Sequence, residues 1–471
     1  MNTDTKAASP FLIALAAMVA LSVIMGIGRF AFTPMLPLML RDHLVDLQQG
    51  GWLATVNYIG YFVGAMVCTV IRRYSRHAIR HSLAAVVVLT ALMGWMDGQA
   101  IWLALRFLVG VVTGFGFVST SGWCMGWLAT SNRLNLGGVM YAGPGVGILV
   151  SGLVGSAMLN HGWHAQSAWL WCAVLALISS LLVWRVVGRQ VLSKTLATYS
   201  GTSKAPKAPK AARATAAHAP AHVPASAAAG VKAPAIHSPN PTPPIPGPDN
   251  SGSALPSSMK AATASRQAPI SAKPNPGQPS LAGKPGRMLI AGHILAYGLQ
   301  GFGYIITATF LPVMASRALA DAGGQSLLWP LFGLCVAIGA LLATRLPAAW
   351  NHCIVLATLY VLQGLGVLCT IFWLDITGFA LGTILLGLPF TVITLLGMRE
   401  ARRLGGSKGV QMMGASTASY ALGQIAGPPL ATSLVALTGS FNASLGVATA
   451  VLFAGALLYI VLFAAERQPP Q

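Results

Sequence analysis

Gly26-Ile27-Gly28-Arg29, followed shortly by Leu36-Pro37-Leu38-Met39, returns later in the chain as Gly301-Phe302-Gly303-Tyr304 and Leu311-Pro312-Val313-Met314. Each matched position is displaced by the same 275 residues, as from Gly26 to Gly301. Looser pairs keep the order: Gly64-Ala65 with Gly339-Ala340, Gly110 with Gly387, and Tyr141-Ala142 with Tyr420-Ala421. An ordered series of this kind reads as an internal duplication. The first apolar run therefore has a counterpart inside the chain, and we read it as a retained helix and not as a cleaved leader.

The material around the duplication is apolar. Hydrophobic residues make up 55% of the 471, charged residues only 8%, and mean hydropathy is +0.67. A soluble domain carries about 25% charge because its surface faces water. Apolar runs of about 20 residues recur, the length at which an α-helix crosses ~30 Å of hydrocarbon, and the short alternating pattern of a membrane barrel does not appear. The six cysteines, Cys68, Cys124, Cys172, Cys335, Cys353 and Cys369, are dispersed among these runs and have no metal-binding spacing. No cofactor, metal site or disulfide framework is expected.

Between residues 188 and 287 the composition changes to Pro, Ala, Ser and Lys, with Asp249 as the one acid. Such a segment buries too little apolar surface to offset its ordering entropy, so it reads as a disordered basic linker. It divides an N-terminal bundle, residues 1–187, from a C-terminal bundle, residues 288–471. Each bundle resolves into six apolar segments, near 10–40, 50–71, 82–96, 100–128, 135–159 and 166–187, then 288–314, 325–344, 351–373, 376–398, 410–437 and 441–465. The expected fold is an all-α membrane protein of 12 transmembrane helices in two six-helix repeats.

Arg72, Arg73, Arg76, Arg80, Arg133, Arg345, Arg399, Arg402, Arg403 and Lys408 fall in alternate loops, which places those loops, the linker and both termini in the cytoplasm. The linker's charge then suits anionic lipid heads. From Lys204 to Lys284 it has no Phe, Tyr or Trp to interleave with its charges, and nucleic acid is not an expected partner.

Arg29 and Arg106 are the arginines inside apolar segments. Burying each costs about 2.5 to 3.5 kcal/mol on insertion scales, so both need partners. The acids Asp97, Asp375 and Glu400 read as lying at segment ends or in turns. The guanidinium groups are therefore either satisfied by carbonyls, tyrosines, amides and water or held for an anionic ligand. With ordinary helical phasing, Ser22, Gly26, Arg29 and Thr33 share a face, and the repeat carries that face onto Tyr297, Gly301, Tyr304 and Ala308. Two such stripes are expected to form opposite walls of one cavity. Asn57, Tyr58, Tyr141, Gln300, Thr391 and Gln424 complete the candidate substrate-binding set, although each also suits a hydrogen bond between helices. His293, near the cytoplasmic end of its segment, is the candidate proton-coupling residue. Pairs such as Gly60/Gly64, Gly110/Gly114, Gly143/Gly147, Gly378/Gly382 and Gly423/Gly427 have the spacing of close helix contacts, and Pro34, Pro37, Pro144, Pro312, Pro389 and Pro428 are expected to bend their helices.

Segment four carries Arg106-x-x-x-Gly110-x-x-x-Gly114, and segment five carries Gly143-Pro144-Gly145-x-Gly147. These motifs resemble the fourth-helix motif of the major facilitator superfamily and its fifth-helix Gly-Pro motif, which is associated with antiporters. The stretch from Gly26 to Pro37 resembles the superfamily's YbfB-like branch. The resemblance covers essentially the whole chain outside the linker. It implies a permease of the bacterial inner membrane, working as a monomer within the lipid bilayer and moving a small-molecule solute, with a proton or counter-solute as possible coupling partner. The sequence departs from the pattern between Gly64 and Arg76, where basic residues are present but the usual Asp is absent.

Catalytic signatures such as H-E-x-x-H and G-x-S-x-G do not occur, and the glycines near Lys284 miss the P-loop spacing, so neither an enzyme nor an ATP-driven pump is expected. The sequence reading is a secondary or facilitative transporter tilted towards an organic anion and towards export. Its rivals are a non-transporting receptor or scaffold acting through the linker, and an efflux pump for cationic or neutral compounds. Deleting most of Thr202 to Lys284 separates the first two: a transporter keeps its solute flux in reconstituted vesicles, whereas a linker-based scaffold loses its function.

Overall fold

The computed structural model describes residues 9–71, 76–187, 286–319, 324–347 and 350–467, and all regular structure among them is helical. We number the helical segments α1 (Pro10–Arg41), α2 (Leu47–Ile71), α3 (His77–Trp95), α4 (Gln99–Thr130), α5 (Gly137–Asn160), α6 (Ala165–Val183), α7 (Arg287–Ala318), α8 (Gln325–Ala343), α9 (His352–Phe372), α10 (Ile376–Gly405), α11 (Gly409–Thr438) and α12 (Asn442–Arg467). Among the described residues, ten of these helices, α1, α3 to α10 and α12, are long and apolar enough to cross a membrane. The linker readings, and Arg72 and Arg73, fall outside the described residues.

Several helix ends follow from their local sequence. Ser9 accepts the amide of Leu12 at 3.2 Å ahead of Pro10, which needs no donor at a first helical position. Asp46 and Gln49 form a reciprocal cap at the start of α2, each side chain taking the other's amide at 2.7 and 2.9 Å. Asp375 accepts from the Gly378 amide and the Thr377 hydroxyl, both at 2.7 Å, and these donors hold its carboxyl below the ordinary carboxylate range. At the far end of α11, Gly439 takes a left-handed φ of 72°, a conformation that favours glycine.

Glycine pairs set how closely helices approach. In the N-terminal half, Gly60 and Gly64 of α2 lie against the Phe107 and Val111 carbonyls of α4, while Gly110 and Gly114 lie against the Asn57 and Tyr61 carbonyls of α2. The two motifs interlock, and this places Asn57, Tyr58, Tyr61 and Arg106 in one layer. Helix α5 uses glycines on two faces. Gly143 and Gly147 receive the Met18 and Ser22 carbonyls of α1, whereas Gly138, Gly145 and Gly152, at successive intervals of seven, pack on α8 of the other half. The Ser156 hydroxyl donates to the Ser326 carbonyl near one end of this seam.

The structure corrects three sequence expectations. The shared face of Ser22, Gly26, Arg29 and Thr33 does not exist, because Ser22–Arg29 is a π-helix, closed by Phe30 N–H on the Met25 carbonyl at 3.1 Å. Each π turn takes in about one residue more than an α turn. Ser22 and Gly26 consequently face α5, and Arg29 turns away towards α2 and α11. Glu400 is neither in a turn nor at a solvent-facing end, but is enclosed within α10 at 1% exposure. The third span begins before residue 82, and the tenth continues to Gly405.

A Cβ on Gly110 would collide with the Asn57 carbonyl, while one on Gly126 in the same helix meets nothing within 4 Å. Gly110→Val is therefore expected to cost about 1 to 3 kcal/mol through overpacking. Gly126→Ala should be neutral or gain up to about 1 kcal/mol. Thermal denaturation of the two detergent-solubilised variants measures the contrast.

Candidate functional site

The site grows from an interruption in α1. Past the π-helical turn, Thr33 N–H reaches back to the Phe30 carbonyl at 3.2 Å, and Pro34 has no N–H to give. The Arg29 carbonyl takes instead the Arg106 guanidinium, Nη2 to O at 3.4 Å. Arg106 also lies 4.6 Å over the ring of Phe32, and Asn57 donates to the Arg106 carbonyl at 2.9 Å, fixing α4 against α2. Arg106 is thus part of the frame that holds α1 in its broken path.

Arg29 points into the seam between the halves. Its guanidinium lies 3.9 Å from the centre of the Tyr61 ring and 5.0 Å from that of Tyr58, and its Nη2 donates to Gln424 Oε1 on α11 at 2.6 Å. Gln424 in turn donates from Nε2 to the Tyr304 hydroxyl on α7. Arg29 and Tyr304 are the residues that the 275-residue repeat makes equivalent, and here they meet on one amide. A desolvated cation–π contact contributes about 2 kcal/mol, and a hydrogen bond to a charged group about 1.5 to 3 kcal/mol. Together these offset the insertion cost of one arginine. Among the described residues, neither Arg29 nor Arg106 forms an ion pair with a carboxylate, and the Nε of each has no hydrogen-bond partner. The layer holds two guanidinium groups without an acid to neutralise them.

Tyrosines extend the layer into the C-terminal half. Tyr304 stacks on Tyr420 with ring centres 5.8 Å apart, Tyr420 meets Tyr297 at 5.1 Å, and Tyr297 stacks on His293 at 6.1 Å. From the N-terminal half, Tyr58 shares a 3.0 Å hydrogen bond with Thr309 of α7. Arg29 is only 3% exposed, so this is a closed arrangement and not the open cavity expected from the two stripes.

The other candidates have separate engagements. Ser22 returns its hydroxyl to the Val19 carbonyl of its own helix, and Thr33 is buried in the first span. Gln300 bonds Gln363 of α9 at 3.3 Å, Thr391 bonds the Val336 carbonyl of α8 at 3.2 Å, and Tyr141 packs on Phe117. His293 shares a 3.2 Å hydrogen bond with Tyr459 and lines a water-sized cavity of about 10 Å³ with Glu400, Arg403 and Glu466. Glu400 is held by Arg403 at 2.6 Å and by His352 at 3.0 Å.

The fold, the interrupted first helix and its counterpart in α7 can be set against known proteins. The model of the family described as uncharacterised MFS-type transporter YbfB matches residues 21–219 and 263–460. This chain belongs to that family. It is a multi-pass membrane protein of the facilitator transporters, a class whose members move solutes and are not enzymes. No curated protein matches the chain. The two matched stretches include the α1 and α7 motifs, so the Arg29 layer lies inside the family's own region and not in an appended segment.

Sequence reasoning missed Tyr61 and Tyr420. Tyr61 could have been found from Tyr58, one helical turn away on the same face of α2. Tyr420 was visible as the repeat partner of Tyr141, but the repeat alone does not say which of the two reaches the seam.

Removing the amide that joins the halves should leave a buried cation underbonded. Gln424→Leu is expected to lower stability by about 2 to 3 kcal/mol, while Tyr304→Phe, which strips a neutral partner from the same amide, should cost about 1 kcal/mol. Thermal unfolding in detergent checks the order of the two effects.

Proposed function

We propose that the chain is a twelve-helix secondary or facilitative transporter of a small organic anion, working by alternating access between two six-helix halves. On this reading α2 and α11 also cross the membrane. The run of basic residues in alternate loops supports a cytoplasmic side for both termini and the linker, and the Gly-Pro motif of α5 favours export.

The observation that carries the proposal is Arg29: a buried guanidinium at the seam, bound across it to Gln424 and faced by tyrosine rings, with no carboxylate partner among the described residues. A carboxylate ligand offers Arg29 a stronger, charge-assisted partner than a neutral amide does. Binding such an anion would take Arg29 from Gln424 Oε1 and loosen the join between the halves. The ligand would thereby favour the rearrangement that carries it across. The absence of a buried acid in this layer tells against an organic cation as substrate. The glycine seam of α5 on α8 supplies a contact with few protruding side chains along which the halves can move. His293, with Tyr459 and the Glu400 network, stands as the candidate coupling site in the C-terminal half.

A thermal-shift screen of the purified protein against anionic, zwitterionic and cationic solutes tests the reading. An anionic substrate at about 100 times its dissociation constant should stabilise the protein by about 2.7 kcal/mol. The shift should vanish in Arg29→Ala, and the same anion should be carried into proteoliposomes by the wild type. Stabilisation by cations or neutral solutes alone, or an anion shift that survives in Arg29→Ala, contradicts the assignment.

A further inference from the structure

Away from the Arg29 layer, the flank of the C-terminal half carries a recess of about 750 Å³ between α8, α9 and α10. Leu388 and Pro389 of α10, Leu342 of α8 and Thr358 of α9 line it, and its mouth, beside the start of α9, is lined by Trp350 and Arg467. The recess follows α9 from Ile354 to Leu362, a rise of about 12 Å of helix, most of the depth of one leaflet's hydrocarbon. Its interior offers almost nothing polar, since the Thr358 hydroxyl is turned back onto the Ile354 carbonyl at 3.0 Å. Its lining residues run along α9, and a helix that spans the bilayer lies in the same direction as an acyl chain.

The mouth has a different chemistry. Trp350 is 53% exposed, at the position where indole rings settle near lipid headgroups. Arg467 is exposed, with its guanidinium resting 4.3 Å over the Phe463 ring at the end of α12. The adjacent acid does not cancel this charge, because Glu466 is committed to Arg403 at 2.5 Å, and Arg403 is also bound to Glu400. The N-terminus of α9 opens at the same place, with two of its amides capped by Asn351, and its dipole favours an anion there. Arg345, exposed at the end of α8, adds to the positive character of this end.

We propose that this recess is a binding site for an anionic phospholipid, one acyl chain lying along α9 and the phosphate held at Arg467 and the α9 N-terminus. An apolar slot alone would accept the tail of any lipid, and the guanidinium and helix end at its mouth select for headgroup charge. This site is distinct from the solute pathway and does not depend on which solute is carried.

Native mass spectrometry of the full-length protein, titrated with dioleoyl phosphatidylglycerol and separately with dioleoyl phosphatidylcholine, tests the proposal, because the two lipids share chains and differ in headgroup charge. Wild type should bind the glycerol lipid about fivefold more tightly, the ratio that one basic side chain near a membrane surface provides. Arg467→Ala should reduce that ratio to about one, and Arg467→Lys should keep it. Thr358→Trp, which fills the slot from an exposed position, should weaken both lipids together. The proposal fails if Arg467→Ala leaves the ratio unchanged, or if Thr358→Trp leaves the number of tightly held lipids as in wild type. Thermal unfolding without added lipid verifies that each variant is folded, and Arg467→Lys separates loss of charge from loss of the helix end.

Discussion

Burying a guanidinium without a carboxylate is the constraint around which the seam is organised. Arg29 must be satisfied by weaker means, and each of those means belongs to a different helix: the rings of Tyr58 and Tyr61 on α2, and the amide of Gln424 on α11. The amide is itself completed by Tyr304 on α7. The cation thereby ties together four helices from both halves. A carboxylate in place of Gln424 would give a stronger join and a less displaceable one. A neutral amide holds the arginine while leaving room for a better partner.

The geometry that aims Arg29 is equally constrained. A regular α-helix from Pro10 to Arg41 would put Arg29 on the Ser22 face, against α5. The π-helical turn rotates it out, and the Thr33 N–H, by bonding the Phe30 carbonyl, leaves the Arg29 carbonyl to be claimed by Arg106. Arg106 then has a reason to be buried: it repairs the backbone of α1. Its own position follows from the interlocked glycines of α2 and α4, so a packing motif, a backbone repair and a candidate ligand anchor form one chain of dependence.

Much of this was legible in the sequence. Apolar length and the 275-residue repeat predicted helical spans and the equivalence of Arg29 with Tyr304, because both features are written directly in residue order. The intervals of Gly138, Gly145 and Gly152 were also readable as one helical face, although nothing in them says that the face belongs to the other half. The direction of Arg29 was not legible, since phasing assumes α-helical periodicity and a single π turn breaks it. The burial of Glu400 was hidden for a related reason. A carboxylate near arginines at a helix end reads as a surface charge until helices α9 and α12 bring His352 and, through Arg403, Glu466 around it. Gln300 and Thr391 illustrate the converse: polar residues in apolar helices, both spent on neighbours within their own half.

The central claim is that an anion taken by Arg29 releases the halves to rock in opposite senses at their two ends. Double electron–electron resonance measures this directly, with spin labels at Asn160 and Ser326 across one end of the α5–α8 seam and at Arg133 and Arg345 across the other. The labels are placed in a background cleared of the six native cysteines. Saturating anion should lengthen one distance and shorten the other, and Arg29→Ala should abolish both changes. Distances that stay fixed with anion bound, or that change in the same sense at both ends, would contradict the account.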